Sequence, residues 1–299
     1  MKLINGKEIS QNLYSDLKKE IESFSSKPKL GIILANNDEA SQRYVRIKLD
    51  IASDLGIETY LKTFSEEELN SHESLKREII QTIDDLNSDS SVNGYLIQLP
   101  LHRSIRNDTN EIVNLIDPRK DVDGLTAASL GRVSHLDTQS FIPATVEGIL
   151  ECINQTLNKR VDWLDNNTET ELNQKEIVII NNSNLIGKPL SNILMSKNAT
   201  VSVLNKNTRD IKRFTQSADI VITATGKGQF LDYTYFKQGS TVIDITSKKI
   251  DGKTKGDVIP SEELVSRVEY FTPVPGGVGP LTVAFLMKNL VKAYKLQSF

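Results

Sequence analysis

Short apolar runs alternate along the chain with segments of helical periodicity, and this alternation limits the possible folds more than any other feature. Runs of this length, bounded by turn residues, are typical of buried parallel strands. We predict strands at 29–36, 57–64, 92–101, 176–181, 199–205, 218–226 and 240–246. Helices between successive strands imply parallel sheets flanked by helices, so the sequence predicts an α/β protein.

Apolar residues at helical spacing predict the connecting helices. In the segment 73–86, Leu75, Ile79, Ile83 and Leu86 recur on one face. Similar patterns predict helices at 8–24, 41–55, 145–158, 182–196 and 281–296. In the helix at 41–55 we expect Val45, Leu49, Ala52 and Leu55 to face inward and Gly56 to end the helix.

No strand is predicted between 145 and 176, and the alternation of strands and helices begins again at 176. We therefore predict two α/β domains, 1–145 and 146–280, with the helix at 281–299 packing back on the first. The polar segment 159–175 is expected to be a surface insertion.

Composition excludes several classes of function. The net charge is −3 and no long basic run is present, which disfavours nucleic acid and anionic membranes as partners. A single cysteine, Cys152, excludes an internal disulfide framework, and the three histidines have no metal-ligand spacing. No apolar run approaches the roughly 20 residues of a membrane span, and the N-terminus lacks a secretory apolar core. We expect a cytoplasmic enzyme without a metal.

The helix at 41–55 contains a candidate catalytic pair. Tyr44 and Lys48 are four residues apart and share a helix face with Ser41. A phenol, an ammonium and a hydroxyl on one face suit acid–base chemistry on a small molecule. The alternative is an ordinary solvated helix face.

Strand ends supply further candidates. Ligands of open α/β sheets bind beyond the carboxyl ends of strands. Gln98 stands at such an end, and the loop 121–124 could face it. The segment TPVPGGVGPLT at 272–282 predicts an ordered loop whose bare backbone approaches a ligand, or a rigid turn between domains.

The turn after the strand 176–181 stands where a dinucleotide-binding fold holds phosphates. The GxGxxG fingerprint is absent there, and the residues are Asn181, Asn182 and Ser183, followed by Gly187. Small polar residues and this glycine suit a ligand, although an ordinary strand–helix turn is the alternative. Thr225 and Gly226 end another strand at the same edge, which favours the ligand.

Five stretches together resemble a known family. They are SQRYVRIK (41–48), GYLIQLPL (94–101), PRKDVDG (118–124), GKPL (187–190) and TPVPGGVGPLT (272–282). Their order resembles that of methylenetetrahydrofolate dehydrogenase/methenyltetrahydrofolate cyclohydrolase, over nearly the whole chain. The resemblance implies a folate-side α/β domain, a Rossmann-like dinucleotide-binding domain, an active-site cleft between them and a homodimer.

The resemblance also implies residue roles. Lys48 matches the catalytic lysine, Tyr44 the tyrosine that stacks on the folate, Gln98 the partner of the lysine, and Asp123 the aspartate that anchors the pterin. It implies substrate contacts from a further set of residues: Leu99, Pro100, Pro275, Gly276 and Gly277. The implied reaction oxidises 5,10-methylenetetrahydrofolate with a nicotinamide cofactor and then hydrolyses the methenyl product to 10-formyltetrahydrofolate.

The chain departs from the family on the cofactor side. Asn182 replaces an arginine that holds the NADP 2′-phosphate, whereas Lys206, after the next strand, could attract that phosphate. No acidic residue stands there to favour NAD, so we expect NADP and leave NAD open. Thr246 replaces a glycine and would place a branched side chain toward the dinucleotide. The expected cofactor-binding residues are Asn181, Asn182, Ser183, Gly187, Lys206, Thr225, Gly226 and Ser247.

Three alternatives are considered, of which the first follows from these departures. One is a cyclohydrolase or folate-binding protein with weakened or lost dinucleotide use. Another is a short-chain dehydrogenase, which shares the Tyr-x-x-x-Lys pattern but has its cofactor turn before the pair, not after it as here. The third is a non-enzymatic binding module, which the set of Lys48, Gln98 and Asp123 disfavours.

Overall fold

The computed structural model describes residues 1–165, 168 and 170–298. The chain divides into two compact units. The six-stranded unit comprises Met1–Gln11 and Arg132–Phe285, and the three-stranded unit comprises Asn12–Gly131 and the chain from Leu286 onward.

The α-helices of the described residues follow one another in chain order. They are α1 (Gly6–Glu22), α2 (Glu39–Asp54), α3 (Glu66–Asn70), α4 (His72–Ser88), α5 (Thr109–Val113), α6 (Ala127–Ser134), α7 (Ala144–Asn154), α8 (Gly187–Ser196), α9 (Ile211–Thr215), α10 (Glu262–Arg267) and α11 (Val278–Gln297). Two short 3₁₀ turns are formed by Arg106–Asp108 and Tyr233–Tyr235.

The strands are short, as buried parallel strands usually are. They are β1 (Lys2–Leu3), β2 (Lys29–Leu34), β3 (Glu58–Thr63), β4 (Gly94–Ile97), β5 (Glu176–Ile180), β6 (Thr200–Leu204), β7 (Ile220–Thr223), β8 (Ser240–Asp244), β9 (Lys248–Ile250), β10 (Lys253–Lys255) and β11 (Val268–Phe271). The strands β9 and β10 form an antiparallel hairpin.

The three-stranded unit has a parallel sheet in the order β3-β2-β4. A hydrophobic core in this unit packs the buried stripe of α4, including Leu75, Ile79 and Ile83, against β2 and β4. Beyond β4, Asp121 pairs with Tyr95 as an isolated parallel bridge. The chain can lie this close because the strand begins with Gly94, where a Cβ would come within 2.2 Å of the Val122 side chain.

The six-stranded unit has a parallel sheet in the order β1-β11-β8-β7-β5-β6. Its register aligns the carboxyl ends of four strands: Ile180 of β5 pairs with Leu204 of β6 and Thr223 of β7, and Thr223 pairs with Asp244 of β8. The order reverses at β5, which has β6 on one side and β7 on the other. Ligands of open α/β sheets bind beyond strand ends at such a reversal.

The parallel sheets and their connecting helices confirm the predicted α/β class. The prediction of a strand over 92–101 was too long, since β4 ends at Ile97 and the chain turns away at Gln98. The two-residue edge strand β1 and its neighbour β11 were missed, because such short segments have no readable periodicity.

The expectation for 159–175 was wrong in one respect. Val161, Trp163 and Leu172 of this polar segment are buried, so part of it contributes to the six-stranded unit. Residues 166, 167 and 169 of the segment, and residue 299 at the end of the predicted last helix, lie outside the described residues. Over the part of the chain that is described, no helix is long and apolar enough to cross a membrane.

Candidate active site

The Lys48 side chain lies inside the three-stranded unit, although it is on a helix with polar neighbours. Its Nζ donates a hydrogen bond of 2.9 Å to Oε1 of Gln98, and the residue is only 7% exposed. The helix α2 brings Lys48 to this position because its buried stripe, which includes Val45 and Ala52, faces the sheet. The amine is therefore held in one place by a neutral acceptor.

Burial makes the Lys48 amine easier to deprotonate. Removal from water lowers the pKa of Lys48 from its ordinary value, and the negative charge of Asp123 offsets part of that shift. Burial raises the pKa of Asp123 in turn, with Lys48 opposing and Asp121 adding to the effect. A lysine with a lowered pKa can both accept and donate a proton near neutral pH.

Gln98 is fixed at both ends of its amide. Oε1 accepts from Lys48 while Nε2 donates to the Leu99 carbonyl at 2.9 Å, which determines the orientation of the group. Its backbone N–H donates to the carbonyl of Ile33 in β2, at the end of the sheet. The next two residues, Leu99 and Pro100, are half-buried and exposed respectively and are joined by a cis peptide bond.

The loop 118–124 contains two residues with structural roles and one candidate binding residue. Lys120 is buried and donates to the carbonyls of Leu86 and Asp89, so it caps the end of α4. The buried Asp121 accepts from the backbone N–H groups of two residues that follow the loop. Asp123 is half-exposed, and among the described residues its carboxylate has no hydrogen-bond partner. This carboxylate remains available to bind a ligand.

The predicted stripe of Ser41, Tyr44 and Lys48 is only partly correct. Ser41 is buried, and its N–H and hydroxyl both donate to Asp38, whose carboxylate caps α2, so the hydroxyl is occupied by the capping residue. Tyr44 is half-exposed, with the Arg43 guanidinium 5.9 Å from its ring centroid. Its ring is thus accessible on the same helix face as Lys48.

The remaining predicted substrate contacts lie in the six-stranded unit. Pro275 follows a cis peptide bond, Gly276 has a φ of +112°, and the Gly277 N–H donates to the carbonyl of Pro273 at 2.7 Å. A Cβ on Gly6 would lie 1.8 Å from the Gly277 carbonyl oxygen. The loop is therefore tightly ordered, as its prolines and glycines predicted.

Asn181 organises the turn between β5 and α8. Its Oδ1 accepts from the N–H and hydroxyl of Ser183 and from the N–H of Gly187, while its Nδ2 donates to the Ala224 carbonyl after β7. A Cβ on Gly187 would lie 1.9 Å from the carbonyl oxygen of Asn181. A glycine is required here for α8 to start so close to the strand, as in dinucleotide-binding turns.

The structure brings the predicted cofactor residues to one end of the six-stranded sheet. Asn182 follows β5, Lys206 follows β6, Gly226 follows β7 and Ser247 follows β8, and all four are exposed. This end is rich in small and polar groups, includes the exposed basic side chains of Lys206 and Lys227, and has no acidic residue directly after β6. These residues fit a nicotinamide dinucleotide and favour one with an extra phosphate.

The expectation for Thr246 was wrong. The residue is buried, and its hydroxyl donates to Oδ2 of Asp257 at 2.8 Å instead of facing outward. The same hydroxyl accepts the N–H of Gly226 at 3.0 Å. The branched side chain therefore occupies the interior of the unit and leaves the strand end open.

Sequence reasoning missed two buried carboxylates beside this loop. Asp257 accepts from Thr223, Thr225, Gly228 and Thr246. Asp244 accepts from the backbone of Thr246 and Val258, and burial raises its pKa to about 7. Asp257 comes after the β9–β10 hairpin, and no periodicity or spacing in the sequence identifies it.

Both parts of the chain match models of one protein family. Residues 4–123 match the catalytic domain of tetrahydrofolate dehydrogenase/cyclohydrolase, and residues 155–298 match the NAD(P)-binding domain of the same family. The first match contains Lys48, Gln98 and Asp123, and the second contains the exposed strand ends of the six-stranded sheet.

Similar proteins cover the full length of the chain. The bifunctional protein FolD of Rickettsia canadensis is 39% identical over 298 residues, which are 98% of this chain and 96% of that protein. The crystal structure of the bifunctional enzyme FolD, a methylenetetrahydrofolate dehydrogenase/cyclohydrolase from Campylobacter jejuni, is 33% identical with a TM-score of 0.88 and 99% of each chain covered. The Trypanosoma brucei FolD structure, complexed with NADP cofactor and inhibitor, is 27% identical with a TM-score of 0.85, covering 99% of this chain and 98% of that one. The chain therefore belongs to the tetrahydrofolate dehydrogenase/cyclohydrolase family, which confirms the resemblance seen in its motifs.

Proposed function

We propose that this chain oxidises 5,10-methylenetetrahydrofolate to the methenyl compound and hydrolyses that product to 10-formyltetrahydrofolate. The observation that supports the proposal most strongly is the buried Lys48, held by Gln98 and facing the charge of Asp123. Family membership supports both steps. No observation on the described residues favours a folate-binding protein without dinucleotide use.

Lys48 acts in the hydrolytic step. Water adds to the methenyl carbon and loses a proton, which the neutral amine of Lys48 accepts. The bond from that carbon to N5 then breaks as the protonated amine returns its proton to N5, and the hydroxyl proton of the adduct leaves to solvent, so that a formyl C=O remains on N10. The pKa of Lys48, lowered by burial, makes both transfers feasible, and Gln98 keeps the amine in position between them.

Folate binding is assigned to the groups around this amine. The Asp123 carboxylate, which has no hydrogen-bond partner among the described residues, accepts hydrogen bonds from the pterin, whose ring edge presents N–H donors. The accessible ring of Tyr44 stacks on the aromatic part of the substrate. Further contacts come from Leu99, Pro100, Pro275, Gly276 and Gly277.

In the oxidation step the chain acts mainly by positioning. The nicotinamide cofactor, when bound, accepts the hydride from the methylene carbon. The groups assigned to hold the cofactor are those at the end of the six-stranded sheet: Asn181, Asn182, Ser183, Gly187, Lys206, Thr225, Gly226 and Ser247. We assign residues 1–145 to the folate-side domain, completed by the last helix, and 146–280 to the cofactor domain. The compact units differ from this assignment in that Met1–Gln11 and the chain from Arg132 to residue 145 lie in the six-stranded unit.

The preferred cofactor is NADP. Lys206 is exposed and stands directly after β6, where dinucleotide-binding folds meet the adenosine ribose. A positive charge here attracts the 2′-phosphate, whereas binding of NAD would be favoured by an acidic residue. The complex of the Trypanosoma brucei relative with NADP supports this choice.

The functional form is a homodimer. The edge strand β3 supports this proposal, because it is exposed along most of its length and presents Tyr60 and Leu61 to solvent, 40% and 39% exposed. Unpaired edges of this kind are suited to pairing with a second copy. Light scattering of the purified chain should give twice the monomer mass, and a monomeric mass would refute the proposal.

The proposed function is tested by following methenyltetrahydrofolate in an absorbance assay. Methylenetetrahydrofolate is supplied with NADP and with NAD in parallel reactions. We expect formation of the methenyl compound with NADP, more slowly with NAD, followed by its hydrolysis. Absence of methenyl product with both cofactors would refute the dehydrogenase assignment.

A further inference from the structure

A buried hydrogen-bond network lies beneath the loop that follows β7. The Asp257 carboxylate is inaccessible to solvent and accepts four hydrogen bonds, of 2.7 to 3.0 Å, which come from both ends of this loop and from two threonine hydroxyls. All four donors are neutral. The negative charge is therefore stabilised by oriented dipoles, and hydrogen bonding lowers the pKa of Asp257 despite its burial.

The loop 225–228 is held through its backbone amides. The N–H groups of Thr225 and Gly228 donate to Asp257, that of Lys227 donates to the Thr225 hydroxyl, and that of Gly226 donates to the Thr246 hydroxyl. Each of these amides has an intramolecular acceptor. The loop thus has a single fixed shape.

Thr246 is the only link between Gly226 and this network among the described residues. Its hydroxyl donates to Asp257 and accepts from Gly226, so one oxygen joins a buried anion to an exposed backbone position. Gly226 has a φ of +69°, a conformation that glycine adopts without steric cost but also leaves easily, since its backbone is flexible. Without this acceptor the peptide before Gly226 could rotate toward solvent.

We propose that the Thr246 hydroxyl is a positioning group for dinucleotide binding, acting through the Gly226 peptide. The inference rests on the proposed function, which assigns Thr225 and Gly226 to the cofactor. The hydroxyl does not touch the cofactor. It fixes the backbone surface against which the cofactor binds, so that no binding energy is spent on ordering the loop.

The experiment compares Thr246→Val with Thr246→Ser. Valine has nearly the shape of threonine but lacks the hydroxyl, which leaves the Gly226 N–H without its acceptor and removes one donor from Asp257. Serine retains the hydroxyl and loses only a methyl group. The control is Thr215→Val, which removes another fully buried threonine hydroxyl, on α9 of the same unit and outside this network.

The readouts are the Kd for NADP from titration calorimetry, the unfolding temperature, and hydrolysis of supplied methenyltetrahydrofolate, which requires no dinucleotide. We expect Thr246→Val to raise the Kd about tenfold, Thr246→Ser to stay within about twofold of wild type, and hydrolysis to be unchanged in both. Thr215→Val should lower only the unfolding temperature.

Two results would overturn the inference while leaving the proposed function intact. One is a wild-type Kd in Thr246→Val, and the other is an equal loss of affinity in the serine and valine variants. Failure of the wild-type chain to bind NADP or NAD at millimolar concentration would instead refute the dinucleotide part of the proposed function.

Discussion

Lys48 Nζ and Gln98 Oε1 are 2.9 Å apart, and they join the helix α2 to the carboxyl end of β4. A neutral amide is the partner of a buried amine here, not a carboxylate in direct contact. A contacting carboxylate would keep the amine protonated, whereas the amide holds it without preventing proton loss. The pair thus combines fixed geometry with a lowered pKa for Lys48.

Two buried lysines of the three-stranded unit should respond differently to substitution. We expect Lys48→Met to abolish hydrolysis of methenyltetrahydrofolate and to leave the fold intact, because methionine fills the space without the amine. Lys120→Met removes the cap of α4 and should instead cost about 1–3 kcal/mol of unfolding free energy, with hydrolysis largely retained. Urea denaturation and the hydrolysis assay distinguish the two effects. Equal loss of activity in both variants would contradict the separate roles.

The charge at position 98 should control the pH dependence of hydrolysis. Gln98→Glu places a carboxylate beside the Lys48 amine and should raise its pKa, since an opposite charge favours the protonated form. We expect the rising limb of the pH–rate profile to move to higher pH. Gln98→Met, which is neutral, should lower the rate without that displacement. An unmoved profile in the glutamate variant would exclude Lys48 as the titrating group.

Lys206 should determine the preference between cofactors. Lys206→Ala removes the positive charge after β6, so we expect the Kd for NADP to rise while the Kd for NAD changes little. The loss should be greatest at low ionic strength, because salt screens exposed charges. Lys253→Ala, on the β9–β10 hairpin, is a matched control for an exposed lysine. An unchanged ratio of the two Kd values would remove Lys206 from the site.

Gly187 should tolerate no side chain. Gly187→Ala places a Cβ 1.9 Å from a backbone oxygen, so the strand and α8 must separate. We expect loss of stability and of NADP binding together. Gly131→Ala, on α6, adds a Cβ with nothing within 4 Å and should be neutral or stabilising by up to about 1 kcal/mol. A stable Gly187→Ala variant that binds NADP normally would contradict the close packing.

Asp244 should make stability fall as pH rises. Burial raises its folded-state pKa to about 7 from 3.8, so between these values the folded state holds a proton that the unfolded state has lost. Its stabilising effect is complete below about pH 4 and is lost by about pH 7, an upper limit of about 4 kcal/mol. Urea denaturation at about pH 5 and pH 8 should show a smaller pH effect in Asp244→Asn.

Asp257 provides the control for that measurement. Hydrogen bonds lower its pKa, so its stabilisation is present above about pH 4 and should not change between pH 5 and pH 8. Asp257→Asn should therefore be less stable than wild type at both values. It should keep a smaller part of the wild-type dependence on pH, because the Asp257 charge helps to raise the pKa of Asp244. Identical pH effects in wild type and Asp244→Asn would exclude Asp244 as the titrating group.

Local patterns in the sequence were sufficient to predict the helix α2 and its active face. Periodicity located the helix, Gly56 with its φ of +77° follows its end, and Lys48 shares a face with Tyr44. Gln98 was placed at a strand end for similar reasons. Each of these features depends on residues close together in sequence.

The network around Asp257 could not be predicted in the same way. Its partner Thr246 is 11 residues away, and its other partners are the last residue of β7 and the loop after it, so the arrangement exists only once the parallel strands are in register. The orientation of the Thr246 side chain was mispredicted for that reason. Lys120 is comparable, since its acceptors lie more than 30 residues earlier in the chain.

The most direct test of the account follows the methenyl intermediate in wild type and Lys48→Met. Both proteins receive methenyltetrahydrofolate without any dinucleotide, and its decay is measured by absorbance above the uncatalysed rate. The account predicts rapid decay with wild type and only the uncatalysed rate with folded Lys48→Met. Decay at the wild-type rate in Lys48→Met would contradict the assignment of Lys48 as the group that moves the proton.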